Sequence, residues 1–421
     1  MTSAAAEERL VKAPACVGDE TDCCIVGGGP GGLMLALLLA RWGVGVTLLE
    51  AHKDFDREFR GNTINPWAME ILGRLGLAEK VLKLRHAKVR RFTVQASERR
   101  ETFADFSRLK SPYPYVLMLP QACFLSFLAA EAKRYPNFRL VMGARVKELV
   151  QEDGVVRGVR WRDPEEGLTH EVRAALTVGT DGRFSRLRKL AGLEVAVGSP
   201  PMDVFWFNLP REEGDPEDAG AVFRCGRGRL LVLMDHFEYW QVGYIIPKGH
   251  YACLKEAGLP ALRRSVAALA PELAGRVSAL AEWGEGSLLS VGSDRLRRWH
   301  RPGLLLLGDA AHVISPVGGI GINLAIQDAV VAANVLAKPL RNGHLSGRHL
   351  RSVQRRREAP TRLVQAAQDF AQRWVVVGVL SSEEAYRLPL LLRLLLRVPV
   401  LRDLPARLIA YGAWSVRMVE D

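Results

Sequence analysis

The spacing of apolar residues predicts a strand, a helix and a second strand at the start of the folded chain. The run DCCIV, from Asp22, is typical of a buried strand, and the helical pattern after it ends at about Gly43. The run GVTLLE predicts a second strand that ends at Glu50. This order indicates an α/β fold, in which a helix joins two neighbouring strands of one sheet.

The middle of the chain, from about residue 198 to residue 285, has a different pattern. The runs MDVFWFNLP and GRLLVLMDHFEYWQVGYIIP are rich in aromatic and large apolar residues and are typical of strands. Alternating polar and apolar residues in RRFTVQASERRETFADFS predict a hairpin earlier in the chain. The strand GLLLLGDAA and the helix GINLAIQDAVVAANVLAKPL return to the α/β pattern, and everything after His344 is helical or irregular. We therefore expect an α/β domain with an inserted, mostly β domain and a helical C-terminus.

Composition and charge exclude several classes of protein. The 421 residues are 48% hydrophobic and 25% charged, a balance typical of a globular protein. The net charge of +12 attracts anions, but the arginines are scattered and no nucleic-acid-binding module is recognisable. The six cysteines form no CxxC pair and no zinc-ligand spacing with histidine, which favours free thiols in a reducing cytoplasm and predicts no metal site. No stretch is long and uncharged enough to predict a membrane helix.

Between the first strand and the first helix, Gly27, Gly29 and Gly32 form the pattern G-x-G-x-x-G. In this pattern the first glycine allows a tight turn, the second lets the backbone approach a pyrophosphate, and the third lets the helix pack on the strand. The N-terminus of the helix faces the anion with free N–H groups. Glu50 lies at the end of the second strand, where a carboxylate can bind a ribose hydroxyl. Together these features predict a dinucleotide site.

Two further glycine motifs follow predicted strands. A Gly-Asp pair at Asp309 ends the strand GLLLLGDAA, and a loop with Pro316, Gly319 and Gly321 leads into the next helix. Glycines in this loop would let the backbone touch a flat ring, and the N-terminus of the helix would favour the negative charge of a reduced flavin. An Asp-Gly pair at Asp181 ends another predicted strand. By itself this pair would indicate an ordinary turn, but its position after a strand and the presence of the other two motifs favour a functional role.

With these three motifs in this order, the chain resembles the FAD-dependent aromatic hydroxylases, the single-component flavin monooxygenases with the p-hydroxybenzoate hydroxylase fold. The matching segments are GGGPGG with Glu50, the pair at Asp181, and the pair at Asp309 with SPVGGIGIN. The resemblance spans Asp22 to about Ala337 and fades in the C-terminal part. It implies a Rossmann-type FAD-binding domain with an inserted, mostly β substrate domain.

The resemblance also implies cofactor contacts, residue by residue. Arg60 matches an arginine near the flavin tail, Gln121 a polar contact to the ribityl or phosphate region, and Asp309 the ribityl-binding aspartate. Asp181 lies where the family implicates both FAD and NAD(P)H. The expected cofactor-binding residues are Gly27, Gly29, Pro30, Gly31, Gly32, Glu50, Arg60, Gln121, Asp181, Asp309, Pro316, Gly319, Gly321, Ile322 and Asn323. The single G-x-G-x-x-G implies one resident dinucleotide, FAD, with NADPH or NADH visiting as a transient reductant.

The chemistry that the resemblance implies is hydroxylation of an aromatic or polyprenyl/polyketide-type apolar substrate. NAD(P)H reduces FAD, reduced FAD captures O₂ as a C4a-hydroperoxide, and the distal oxygen passes to the substrate. The pocket must be dry, so aromatic residues of the β domain are expected to form an apolar wall. The expected wall residues are Trp206, Trp240 and Tyr244.

A base or hydrogen-bonding partner for a phenolic substrate is also expected, because an ionised phenol reacts faster. The segment MDHFEYW offers Asp235, His236 and Tyr239, but their spacing identifies no catalytic residue, and a surface turn is the expectation for His236. His312, which follows the Gly-Asp pair, is expected to have a structural role beside the loop.

The run from Arg387 to Gly412 mixes leucines with Arg393 and Arg397. Prolines divide this run, so packing against the substrate domain or a dimer partner is favoured over contact with a membrane surface. The expected partners are a small apolar or aromatic substrate and O₂, with a homodimer left open and no nucleic acid.

Three alternatives stay open. A flavin-dependent halogenase shares the fold, but YWQVGYIIP has the I-P of the halogenase motif W-x-W-x-I-P without its paired tryptophans. A flavin-linked reductase or dehydrogenase acting on polyprenyl chains would react slowly with O₂. A non-catalytic flavoprotein, serving as a redox sensor or ligand-sequestering module, would bind FAD without substrate-stimulated oxidation of NAD(P)H.

Pattern and resemblance together predict how the chain is divided. The predicted parts are a disordered tail of residues 1–20, an FAD-binding domain of 21–88, 110–197 and 286–345, a substrate-binding domain of 89–109 and 198–285, and a C-terminal helical region of 346–421. The substrate itself, the choice between NADH and NADPH and the oligomeric state are not predicted.

Overall fold

The computed structural model describes most of the chain. The described residues are 18–56, 61–96, 99–165, 167–198, 200–216, 220–226, 228–381, 398 and 402–419. Residues 18–20, which the sequence assigned to the tail, are the first residues of strand β1. The predicted fold class is confirmed, because a largely parallel sheet with helices, a second and mostly antiparallel sheet, and helices at the C-terminus occur in that arrangement.

The first sheet contains eight strands of the described chain and is parallel at its centre. Its strands are β1 (Gly18–Val26), β2 (Val46–Leu49), β8 (Phe138–Val141), β9 (Arg145–Glu152), β10 (Val155–Arg162), β11 (Thr169–Gly179), β19 (His300–Arg301) and β20 (Leu304–Leu306). The order is β19-β20-β11-β1-β2-β8, with β10 and β9 attached at β11. The pairs β20–β11, β11–β1, β1–β2 and β2–β8 are parallel. The turns after β1, β11 and β20 therefore meet at one edge of the sheet.

The described helices pack against the first sheet and against the second sheet described below. They are α1 (Pro30–Arg41), α2 (Pro66–Arg74), α3 (Ala78–Val81), α4 (Gln121–Ala132), α5 (Arg186–Leu190), α6 (Tyr251–Ala257), α7 (Leu259–Leu269), α8 (Gly321–Arg341), α9 (Gly347–Ala371), α10 (Val377–Leu380) and α11 (Leu404–Tyr411). Helix α1 is apolar on all sides and is buried from Gly31 to Ala40, because it packs between α8 and α4.

The second sheet has seven strands among the described residues. They are β5 (Arg91–Ala96), β6 (Arg99–Asp105), β13 (Met202–Pro210), β14 (Ala221–Gly226), β15 (Arg229–His236), β16 (Tyr239–Pro247) and β17 (Gly286–Leu289), in the order β17-β13-β16-β15-β14-β5-β6. The pair β5–β6 is the predicted hairpin. One face of the sheet packs on α7 through Leu262 and Val266. The opposite face packs on α10 and on the loop before α8 through Val317.

The described strands also form two small sheets. They are β3-β7-β4, from Thr63–Ile64, Val116–Met118 and Ala87–Val89, and β12-β18, from Val195–Gly198 and Ser293–Leu296. The division of the chain into domains stays a prediction.

The C-terminal segment is fastened to α2 and α8. Trp67 Nε1 of α2 donates a hydrogen bond to the carbonyl of Val416 (2.8 Å), and Gln327 Nε2 of α8 donates one to the carbonyl of Tyr411 (2.9 Å). Most of the predicted membrane-surface or packing run 387–412, including Arg393 and Arg397, lies outside the described residues. Among the helices that are described, none combines the length and the apolar character needed to span a membrane.

Candidate functional site

The three glycines of the first turn have different surroundings. A Cβ on Gly27, whose φ is +108°, would lie 2.5 Å from the carbonyl oxygen of Thr180, and a Cβ on Gly32 would lie 2.1 Å from that of Gly27. Both positions therefore exclude a side chain. A Cβ on Gly29 would meet no atom within 4 Å, so this glycine borders open space.

The same turn begins helix α1 without a capping side chain. Gly29 is the N-cap residue, and Pro30 occupies the first helical position, where its missing N–H costs nothing. The N–H groups of the first turn therefore point toward the open space beside Gly29, as an anion site requires. Gly31 packs on α8, because a Cβ there would lie 3.1 Å from the carbonyl oxygen of Ala325.

Glu50 lies beside this turn, as its position after β2 predicted. Its side chain is buried, and its Oε2 accepts a hydrogen bond from the N–H of Gly28 (2.6 Å). The other oxygen, Oε1, accepts from the N–H of His52 (3.0 Å) and lies 2.6 Å from Nδ1 of the same histidine. The sequence reasoning did not identify His52, which orients the carboxylate.

The Asp-Gly pair reaches the glycine turn through its neighbour. Thr180 Oγ1 donates to the carbonyl of Gly27 (2.8 Å), so the ends of β11 and β1 are tied together. Asp181 itself supports the start of helix α5, since its oxygens accept from Oγ of the N-cap residue Ser185 (2.6 Å) and from the N–H of Arg186 (2.7 Å). Burial raises the pKa of Asp181. Its direct contact with a cofactor stays a prediction.

The third motif meets the first at α8. Gly308 has a φ of +58°, and a Cβ there would lie 3.1 Å from the Cβ of Ala325. A Cβ on Gly31 would lie 3.2 Å from that same Cβ. All three motifs thus converge on one edge of the first sheet, with Asp309 following Gly308 in a short 3-10 turn.

The loop from Pro316 to Asn323 is held in shape by β3. Thr63 Oγ1 donates to the carbonyl of Gly319 (2.6 Å), and Asn323 Oδ1 accepts from the N–H of Asn65 (2.9 Å). Gly319 has a φ of +62°, and a Cβ there would press on Thr63 Oγ1 at 2.9 Å. The N–H of Gly319 closes a turn with the carbonyl of Pro316 (2.9 Å). The side chain of Asn323 therefore holds the loop.

The remaining predicted loop residues begin α8. Gly321 is the first residue of the helix, and Ile322 packs next to Gly61, whose Cβ would lie 3.5 Å from its Cδ1. The uncapped first turn of α8 thus stands beside the loop, where it favours negative charge.

Gln121 is the first residue of α4, and its backbone N–H donates to Asn62 Oδ1 (3.2 Å). Its Oε1 is buried without a hydrogen-bond partner, which is unfavourable unless a ligand donates to it. This orphaned oxygen and the open space at Gly29 fit a bound dinucleotide. Arg60, the other polar contact that the resemblance implied, lies outside the described residues.

A buried cluster of Asp328, His312 and Arg357 holds the Gly-Asp turn through the backbone of Gly308. Asp328 Oδ2 accepts from the N–H of Gly308 (2.9 Å) and lies 2.6 Å from His312 Nε2, while Asp328 Oδ1 accepts from Arg357 Nε (2.6 Å). Burial would raise the pKa of Asp328, but the neighbouring His312 and Arg357 hold it at about 2. The structural role expected for His312 agrees with this geometry. Asp328 and Arg357 were missed because their partners are distant in sequence.

The predicted wall residues do not share a face of the second sheet. Trp206 packs in the same cluster as Val317 of the loop. Tyr244 and Trp240 lie on the opposite face, where the hydroxyl of Tyr244 lies 2.9 Å from Ser265 Oγ of α7 and Trp240 Nε1 donates to Asp215 (2.8 Å). Trp206 therefore does not share a face with Tyr244 and Trp240, because alternation along paired strands places Trp206 opposite Gly243, and which of the three residues line the substrate pocket stays a prediction.

The expectation of a surface turn for His236 is wrong. His236 is the last residue of β15 and only 4% of its surface is exposed. Among the three residues of MDHFEYW considered for proton transfer, Asp235 is paired with Arg211.

Comparison with known proteins gives consistent results. A family model described as an FAD binding domain matches residues 20–367. The chain is 38% identical, over 97% of its length and 96% of the relative's, to a 6-methylpretetramide 4-monooxygenase of Streptomyces rimosus. It is 29% identical, over 73% of its length and 61% of the relative's, to a 12-dehydrotetracycline 5-monooxygenase/anhydrotetracycline 6-monooxygenase of the same species. The crystal structure of Pseudomonas aeruginosa PqsL in complex with 2-aminobenzoylacetate superposes with a TM-score of 0.73 at 20% identity, over 86% of this chain and 97% of PqsL.

Proposed function

The chain belongs to the family of FAD-dependent aromatic hydroxylases and is an FAD-dependent monooxygenase, and from this premise we propose that it hydroxylates a polycyclic aromatic polyketide. The observation that carries the proposal is the 38% identity, over 97% of the chain, with a 6-methylpretetramide 4-monooxygenase. The second relative, at 29% identity, is also named for tetracycline-type compounds. The likeness to PqsL, at 20% identity, concerns the fold alone.

FAD, when bound, supplies the electron transfer from NAD(P)H and the reaction with O₂. We propose that the first turn of α1 and Gly29 hold its pyrophosphate and that Glu50 binds the ribose. The approach of Gly31 and Gly308 to Ala325 and the hydrogen bond from Thr180 to Gly27 support this arrangement. Gln121 and Asp309 would then bind the middle of the cofactor, Gln121 through its orphaned Oε1.

The loop from Pro316 to Asn323 would hold the ring system against the second sheet. The sheet face on this side is apolar, because Val204, Ile245 and Trp206 pack in one cluster with Val317. A face of this composition excludes water from the substrate, which keeps the reactive oxygen from being lost as H₂O₂. Trp206 would be the substrate-wall residue, and Tyr244 and Trp240 support the sheet from behind.

The test is turnover of a defined substrate by the purified, FAD-loaded protein. With 6-methylpretetramide, NADPH or NADH and ¹⁸O₂, we expect substrate-stimulated oxidation of the nicotinamide, a product heavier by one ¹⁸O atom, and little H₂O₂. The same assay is repeated with p-nitrophenol in place of 6-methylpretetramide, and with bromide added, to compare hydroxylation of a small phenol and halogenation with the proposed reaction. Hydroxylation of p-nitrophenol alone, or a brominated product, would overturn the proposed substrate class.

We further propose that the protein works in the cytoplasm. The five described cysteines, Cys23, Cys24, Cys123, Cys225 and Cys253, are free, which supports a reducing compartment. Cell fractionation tests the compartment, and a periplasmic protein would contradict the proposal.

A further inference from the structure

The sheet face that carries Trp206 is apolar along most of strand β15 but ends in a buried polar residue. Leu230 and Val232 pack in the cluster of Val317, and Met234 packs against the cluster of Ile314. His236 continues this alternation and so lies on the same face. Its exposed fraction is only 4%.

Two residues of strand β16 fix the imidazole of His236. Tyr239 lies directly opposite in the strand register, and its ring stacks on the imidazole at 4.9 Å with an interplanar angle of 6°. Nε2 of His236 lies 3.2 Å from Oε1 of Gln241. An amide oxygen only accepts, so in this arrangement Nε2 carries the proton and Nδ1 keeps its lone pair.

Nδ1 has no hydrogen-bond partner among the described residues. Burial also lowers the pKa of His236 to about 4, so the imidazole is neutral at physiological pH. Nδ1 is not among the fully buried side-chain atoms that lack a partner, so it borders accessible space, from which a ligand hydroxyl can donate to it.

The position of His236 indicates what donates to Nδ1. Met234, two residues earlier, packs against the cluster that contains Ile314, which precedes the proposed ring-binding loop, and Ile320, which lies within that loop. The imidazole of His236 therefore lies on the side of the second sheet that this loop approaches.

We propose that Nδ1 of His236 accepts a hydrogen bond from a phenolic or enolic hydroxyl of the substrate and thereby determines which ring carbon faces the flavin. This inference rests on the proposed function, since it names the group by which a polycyclic aromatic compound is oriented. Gln241 is a positioning residue, because it acts through the tautomer of His236. Asp235 has no part in this contact, because it is paired with Arg211.

The experiment measures binding, so it does not depend on turnover. The FAD-loaded protein is titrated with 1-naphthol and with 1-methoxynaphthalene, and the change in flavin absorbance gives the two dissociation constants. We expect the wild type to prefer 1-naphthol by about tenfold, as for one hydrogen bond. His236→Phe should bind both probes with equal affinity, while His236→Asn, which keeps an acceptor near Nδ1, should retain most of the preference.

Matched controls keep the result interpretable. Tyr244→Phe removes a buried hydroxyl from the opposite face and should leave the preference unchanged. If His236→Phe does not fold, Gln241→Met carries the test, because the loss of the Nε2 acceptor frees the tautomer and should reduce the preference about threefold. A preference as large as that of the wild type in whichever of these two variants folds would overturn the inference, as would a wild type that does not distinguish the probes.

The same variants separate this inference from the proposed function. If 6-methylpretetramide is not hydroxylated but the naphthol preference disappears in His236→Phe, the substrate class is wrong and the hydrogen-bond site stands. If 6-methylpretetramide is hydroxylated at the same carbon with the same KM and coupling by wild type and His236→Phe, the site is wrong and the function stands.

Discussion

Replacing Gly29 and Gly32 separately by alanine distinguishes a glycine that the fold needs from one that the cofactor needs. Gly32→Ala places a Cβ 2.1 Å from the carbonyl oxygen of Gly27 and crowds Thr180 Oγ1 at 2.6 Å. Both atoms are held by the ends of strands, so neither can move away easily. Gly29→Ala places a Cβ where no protein atom lies within 4 Å, at a φ of −76° that alanine adopts readily.

The expected magnitudes follow from these distances. At Gly32 the shortest contact falls more than 1 Å below an ordinary van der Waals contact of 3.4 Å, so we expect a loss of about 3 kcal/mol in the free energy of unfolding. At Gly29 the weaker N-cap of alanine and its lower unfolded-state entropy nearly cancel, so the apoprotein should stay within about 1 kcal/mol of the wild type. The methyl group would nevertheless occupy the pyrophosphate space, with an expected loss in FAD affinity of about a hundredfold, or roughly 2.7 kcal/mol.

Two measurements on the apoprotein decide the matter. Urea denaturation gives the free energy of unfolding, and quenching of flavin fluorescence on titration with FAD gives the affinity. The reasoning predicts a stable Gly29→Ala variant that binds FAD poorly, and a Gly32→Ala variant that is destabilised whether or not FAD is present. A Gly29→Ala variant with wild-type FAD affinity would refute the assignment of the pyrophosphate to this turn.

Three other predictions concern buried ionisable groups. Asp328→Asn leaves Arg357 buried without a carboxylate, so urea denaturation should show a loss of about 3 kcal/mol; a loss below about 1 kcal/mol would show that the pair is not buried as described. The pKa of His236 is about 4 in the folded protein and 6.5 in the unfolded chain, so the unfolded chain binds the proton first and stability should fall as pH drops from 6.5 to 4, by about 3 kcal/mol at 1.36 kcal/mol per pH unit. His236→Phe should remove this part of the pH dependence, and an unchanged slope would contradict it. Asp181→Ala removes the carboxylate that accepts from the N–H groups of Arg186 and Leu187 at the start of α5 and should cost about 1 kcal/mol of stability; a selective loss of FAD affinity at unchanged stability would instead favour a direct cofactor contact.

The sequence by itself determined the local parts of the cofactor site. The glycine turn, the helix that begins at Pro30 and the carboxylate of Glu50 lie within one strand-helix-strand segment, and their spacing specifies their geometry. The order of the three motifs also determined the family. Their convergence follows from parallel pairing of β1, β11 and β20, which places the ends of these strands at one edge.

Only the tertiary structure decided which residues face the substrate and which charges meet in the core. Because side chains alternate along a strand, the sequence shows that Trp206 and the adjacent Phe205 and Phe207 lie on opposite faces of the sheet. It does not show which face α7 covers and which face the loop approaches. The same applies to His236, for which the sequence predicted a surface turn. In the structure it is buried, and Tyr239 and Gln241 of β16 contact its imidazole. Asp328 and Arg357 belong to different helices, and no local pattern brings them together. Their contact is set by the packing of α9 on α8, which is a property of the whole fold.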